Sequence, residues 1–349
     1  MQAPPESRPE LAVVEHNPTN NRTRAIGPFT PPAGVPQTDG MIAILGGRGA
    51  AVMWAFSGLT SSRSTRLIGA SSNLAWMMLV GLAIATPLAL ASGPVPPITP
   101  TLAGWMATSG ITGVVGLLVM YRGLRIGKLG VVAALASTEG AMAAVISVIA
   151  GERITIPAVA MLCVIVVGIA TVAFAAGSSS EPITASNDPA TSGSSVTGGA
   201  SGAVGVSARI GPERRAAMYG AIAAVIFGVN IYSTAQLGHR LPTIMAVMPV
   251  RIVGVAAVFI PMAMTGRLRM VRRAVPMVVL IGALEVFGNA SYVIGSRESI
   301  AIAAVLASQF AAVAAVAAFF LFHERLSLGQ RSGIVAIALG VAVLSAVQA

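Results

Sequence analysis

The sequence predicts an all-α membrane protein of about ten transmembrane helices, arranged as two inverted five-helix repeats. Three observations lead there. Only 10% of the 349 residues are charged and 55% are hydrophobic, with a mean hydropathy of +0.82. A soluble domain carries about 25% charged residues, so these few charges cannot coat a water-facing surface, and lipid has to be the solvent for most of the chain. The apolar residues gather into runs close to the roughly 17–25 residues that a helix needs to cross a bilayer. The two halves of the chain also resemble one another in order and spacing.

In chain order, residues 1–41 come first, polar and rich in proline (Pro4, Pro5, Pro9, Pro18, Pro28, Pro31, Pro32, Pro36). They lack the early apolar stretch of a signal peptide and read as a disordered tail. Apolar runs follow at about 42–61, 73–92, 101–121, 130–150 and 156–176, with Arg48 interrupting the first. Residues 177–213 are dominated by Gly, Ser and Thr, the composition of a flexible linker. A second set of runs lies at about 215–234, 243–264, 275–294, 300–321 and 330–348. The expected organisation is therefore a tail (1–41), a first repeat (42–176), a linker (177–213) and a second repeat (214–349).

The repeat is visible residue by residue. Tyr121 to Ser137 aligns without a gap with Tyr292 to Ser308, and both stretches close on Leu-Ala-Ser: Leu135-Ala136-Ser137 and Leu306-Ala307-Ser308. Each then runs through an apolar helix to Glu-Arg, as Gly151-Glu152-Arg153 and His323-Glu324-Arg325. The helices after those motifs share a late glycine, Gly168 and Gly340, while Val80-Gly81 matches Val253-Gly254 and Gly93 matches Gly266. Five spans per half is an odd number, so the second half enters the membrane from the opposite side. That inverted arrangement is frequent in secondary transporters, which place their site between the halves near the bilayer midplane.

At these residues the sequence resembles the EamA-type ten-helix branch of the drug/metabolite transporter superfamily, over about residues 42–348. Trp54 looks like the family's first-helix tryptophan, and Arg251 like the arginine common early in the second helix of a repeat. Glu139 and Gly140 stand where the family often has a proline, with Phe310 near the corresponding place in the second half. The resemblance implies a multi-pass protein of the cell (inner) membrane that moves a small organic metabolite, such as an amino acid, by alternating access, and it favours export. A nucleotide-sugar or sugar-phosphate exchanger is the main alternative, but it would place several Lys or Arg residues in the cavity, where Arg251 alone is a candidate. The partners expected are the solute, the lipid bilayer, protons and a second copy of the chain in a homodimer.

A charge at the bilayer centre costs roughly 2.5–3.5 kcal/mol on insertion scales and persists only when paired, hydrated or useful. Glu139, mid-span in the fourth run, reads either as a protonatable or solute-contacting carboxylate or as one bonded to Ser137 or Thr138. Glu285 in the eighth run shares its helix face with Asn289, four residues on. The two form a polar strip that either lines a cavity or fixes helix packing. Arg251 in the seventh run either holds an anionic group in a bidentate fork, balances a carboxylate, or snorkels to the interface. Asn230, Gln309 and Trp54 are further lining candidates, each with packing as the competing role. Glu152 and Glu324 are read as caps of the fifth and tenth helices, where a carboxylate suits the positive N-terminal end.

Other classes find little support. The net charge of +10 sits in short gaps between apolar runs rather than on one face, which speaks for lipid headgroups and against nucleic acid. Cys163 is the single cysteine and the three histidines (His16, His239, His323) are scattered, so neither a disulfide nor a metal cluster is expected. No cofactor is expected. No phosphate-binding Gly-x4-Gly-Lys loop occurs, which excludes ATP-driven transport by this chain alone. Connections poor in Asp and His speak against a membrane-embedded enzyme. The positive-inside rule places the arginine-rich connections after odd-numbered runs in the cytoplasm, whereas the family resemblance places both termini there.

Overall fold

The computed structural model describes residues 40–126, 132, 135–179 and 212–310, with scattered positions between 312 and 343. The described elements are helices: α1 Met41–Ile68, α2 Ala70–Ala91, α3 Pro100–Ile126, α4 Glu139–Ile149, α5 Ile156–Ser179, α6 Pro212–Gly238, α7 Thr243–Met264, α8 Val275–Ser296 and α9 Ile300–Ala307. Helices are forced because hydrocarbon supplies no partner for a backbone N–H or C=O, so each segment must satisfy its own. Among the described residues, α1, α2, α3, α6, α7 and α8 are long and apolar enough to cross a membrane, and shorter apolar stretches are described in α4, α5 and α9. Six of the ten expected spans are thus seen at full length among the described residues. The expected tail and linker lie outside the described residues, apart from the ends of α1, α5 and α6 that run into them.

Glycines end several helices because only they adopt the left-handed conformation without a Cβ clash. Gly151 (φ 104°) closes α4 with two bonds, Gly151 N–H to Val148 O and Glu152 N–H to Ser147 O, both at 3.0 Å. Gly266 (φ 65°) closes α7 in the same way, with Gly266 N–H to Ala263 O at 3.2 Å and Arg267 N–H to Met262 O at 3.0 Å. This is the Schellman pattern, which turns the next residue back toward the helix. It explains physically why glycine precedes Glu152 in the first half's Glu-Arg motif.

The helices close into a ring in the order α1, α8, α2, α7, α3, α6, α4, α9 and back to α1. Every neighbour in that ring comes from the other half of the chain, so the halves interdigitate rather than standing side by side. Close approach is made by small residues, as packing in lipid requires. Gly46 lies so near Gly295 that a Cβ on Gly46 would stand 2.5 Å from the Gly295 Cα, and a Cβ on Gly140 would strike Ala304 O and Ser308 Oγ. α9 is buried at all of its positions from Ile300 to Ala307.

The internal repeat extends to a shared break. In the first half the chain turns at Ser137 and Thr138 before α4 starts at Glu139; in the second it turns at Ser308 and Gln309 before helix resumes at Phe310. The same bonds frame both turns. Thr138 N–H donates to Leu135 O at 3.1 Å and Gln309 N–H to Leu306 O at 3.3 Å; Met142 N–H donates to Thr138 O at 3.1 Å and Val313 N–H to Gln309 O at 3.0 Å. α4 and α9 cross where these breaks meet. α7 contains a different irregularity, a π-helical turn over Val255–Phe259.

Candidate functional site

The ring gathers the sequence's charged candidates. Arg251 of α7 is 2% exposed, and its Nη2 lies 3.4 Å from Oε2 of Glu285 in α8. Snorkelling to the interface, one reading of Arg251 from sequence, is therefore not what the structure adopts. Ser57 Oγ of α1 donates to the other Glu285 oxygen at 2.9 Å, and the second guanidinium nitrogen lies 3.7 Å from the Met78 sulfur of α2. Nε of Arg251 is buried without a partner among the described residues. The arginine fits because α2 carries glycine opposite it: a Cβ on Gly81 would stand 3.1 Å from Arg251 Cδ. The equivalent glycine of the second half, Gly254, packs on Met78.

Glu139 opens α4 at the first-half break, half-buried, and its carboxyl accepts no hydrogen bond from the described residues. The alternative that Thr138 holds it is not adopted, since Thr138 Oγ1 donates to Leu135 O at 2.7 Å. Glu285 lies within electrostatic reach of both Glu139 and the Tyr121 hydroxyl of α3. The ring therefore holds one carboxylate balanced by an arginine and a second that is not.

The remaining candidates separate from this cluster to different degrees. Asn289 does share the Glu285 face, but its Nδ2 donates to the Glu285 backbone carbonyl at 2.7 Å, so its amide is engaged with its own helix. Asn230 of α6 donates to Ser109 O of α3 at 2.7 Å, beside a 2.8 Å Ser109–Thr234 hydroxyl bond, which makes it a packing contact. Trp54 of α1 stands 6.4 Å from Tyr292 and 6.5 Å from Phe310, ring centroid to centroid, with its indole N–H buried and without a partner among the described residues. Gln309, at the second-half break, is 6% exposed and its Nε2 also lacks a partner among the described residues. Sequence reading missed Ser57, Met78 and Gly81, although the match of Val80-Gly81 with Val253-Gly254 marked the position where α2 makes room.

Glu152 corrects an expectation. It caps not the helix that follows it but α9 of the other half, accepting from Ser299 Oγ at 2.6 Å and from Ala301 N–H at 3.3 Å. Glu298 does the reciprocal service, accepting 2.6 Å bonds from the N–H groups of Gly40 and Ala43 at the start of α1. Glu324 lies outside the described residues.

Comparison with known proteins bears on the whole architecture. The sequence profile of the EamA-like transporter family matches residues 41–174 and 214–346, one copy in each half. A solved structure titled only "Crystal structure of protein" superposes with a TM-score of 0.66 at 19% identity, over 87% of this chain and 98% of that one, and shares the fold. No curated protein matches the sequence.

Proposed function

The chain belongs to the EamA-like transporter family, and on that premise we propose that it is a proton-coupled secondary transporter that exports a small organic metabolite of amino-acid type across the cell membrane by alternating access. The observation that carries this reading is the pairing inside the ring of a balanced carboxylate, Glu285 with Arg251, and an unbalanced one, Glu139. A metabolite with a carboxylate and an ammonium group suits that set. Its carboxylate takes the guanidinium donors that Glu285 leaves unused, and its ammonium group or a proton takes Glu139. The unpartnered donors of Trp54 and Gln309 are further groups for a solute oxygen. In alternating access the site at this level faces one side and then the other.

The test is flux in liposomes loaded with radiolabelled amino acids, with and without an imposed pH gradient. Wild-type flux is expected to follow the gradient, and Glu139→Gln to lose that dependence while still catalysing exchange. Full gradient-driven flux in both Glu139→Gln and Glu285→Gln sinks proton coupling through these residues.

A further inference from the structure

A cavity of about 440 Å³ lies apart from the ion pair, between the first turn of α2, the last turns of α3 and the distal half of α7. That is the size range of small-molecule sites. Its polar wall includes Arg122 and Arg267, with the hydroxyl-bearing side chains of Ser71, Tyr121 and Thr265; its apolar wall is made by Leu118, Ala257, Pro261 and Met262 among others. Both arginines are exposed, and neither has a carboxylate partner among the described residues. Arg267 is aimed there by the Gly266 turn, which folds the chain back onto Met262. The π-helical turn of α7 supplies Ala257 and Val258 to the wall, and such turns recur at functional sites.

We propose that this cleft binds an anionic phospholipid, with its phosphodiester head between Arg122 and Arg267 and an acyl chain along Leu118, Ala257 and Pro261. Three features favour a lipid over a dissolved anion. The charged and apolar walls are adjacent, as in an amphipathic ligand. Leu118, Ala257 and Pro261 are exposed side chains on the surface of a membrane protein, where hydrocarbon is the surrounding medium. The cleft also opens at the end of the bundle that carries Arg269, Arg272 and Arg273, beside Trp76, whose indole donates to Arg269 O at 3.1 Å. Tryptophan and arginine together mark the headgroup level. The site is independent of the solute that the transporter carries.

Protein purified in mild detergent is titrated with phosphatidylglycerol, with phosphatidylcholine as the zwitterionic control and sn-glycerol 3-phosphate as the soluble phosphate, and the melting temperature is followed. Phosphatidylglycerol is expected to raise it, with a response reduced about fourfold or more in the double variant R122Q/R267Q and retained in R272Q/R273Q, since only a ligand of the folded state shifts the transition. Leu118→Trp fills the apolar wall without changing charge and is expected to weaken the response as well; it decides the matter if the double variant does not fold. Equal responses to both lipids, equal loss in both arginine variants, an unchanged response in Leu118→Trp, or a response to glycerol phosphate matching that to phosphatidylglycerol would each overturn the proposal.

Discussion

Arg251 of α7 and Glu285 of α8 face each other at 3.4 Å across the face of α2, where Gly81 leaves room for the guanidinium stem. Removing one member of a buried pair strands the other. Arg251→Met is therefore expected to cost about 3 kcal/mol, the low end for such breaks because Glu285 keeps 23% of its surface exposed. Arg251→Met with Glu285→Met should cost clearly less than the two single changes added together. A double-mutant cycle on thermal unfolding in detergent measures the difference, and strict additivity would show that the pair contributes nothing.

The glycines separate into two kinds by what surrounds them. Gly46→Ala places a methyl 2.5 Å from the Gly295 backbone and should destabilise the α1–α8 contact by about 1–3 kcal/mol, because backbone cannot move aside as a flexible side chain can. Gly58→Ala, on the same helix with nothing within 4 Å, should be neutral or stabilising by up to about 1 kcal/mol through helix propensity. Melting temperatures of the two variants check the ordering.

Glu152→Ala removes the carboxylate that holds Ser299 and the Ala301 amide at the start of α9. The expected cost is about 1 kcal/mol, the usual worth of a lost cap. Hydrogen exchange provides the local readout: the amides of Ala301 and Ile302 should exchange faster, while those of α2 and α3 stay unchanged.

His239 follows α6 outside the span, where burial and the neighbouring charges of Arg240 and Arg297 hold its imidazole below the ordinary value of 6.5. The folded state then favours the neutral form. Its contribution is complete above pH 6.5 and declines as the pH falls below that, because the unfolded chain takes up the proton first. Melting temperature should drop between pH 7.5 and 5.5, and His239→Gln should flatten that dependence.

Much of the architecture was legible because it follows from solvent and period. The aligned Leu-Ala-Ser stretches were visible in the sequence, although the alignment did not say that the chain turns at the end of both. Arg251, Glu285 and Glu139 stood out because a charge in hydrocarbon needs a reason. Asn289 illustrates the limit. Spacing put it on the face of Glu285, but did not say that its Nδ2 would donate to the Glu285 carbonyl.

The sequence by itself determined that lipid surrounds the chain, where the apolar helices run, and that one half repeats the other. Each of those follows from local composition and from order along the chain. Only the tertiary structure decided the partners: Arg251 with Glu285 and Ser57, Glu152 with α9, and Glu298 with α1. A contact between helices depends on the rotation and depth of both. Neighbours around the ring come from opposite halves, and even Arg251 and Glu285, both in the second half, are 34 residues apart, separations that no spacing rule encodes. Glu152 makes the point, since its place after Gly151 was written in the chain and the helix it caps was not.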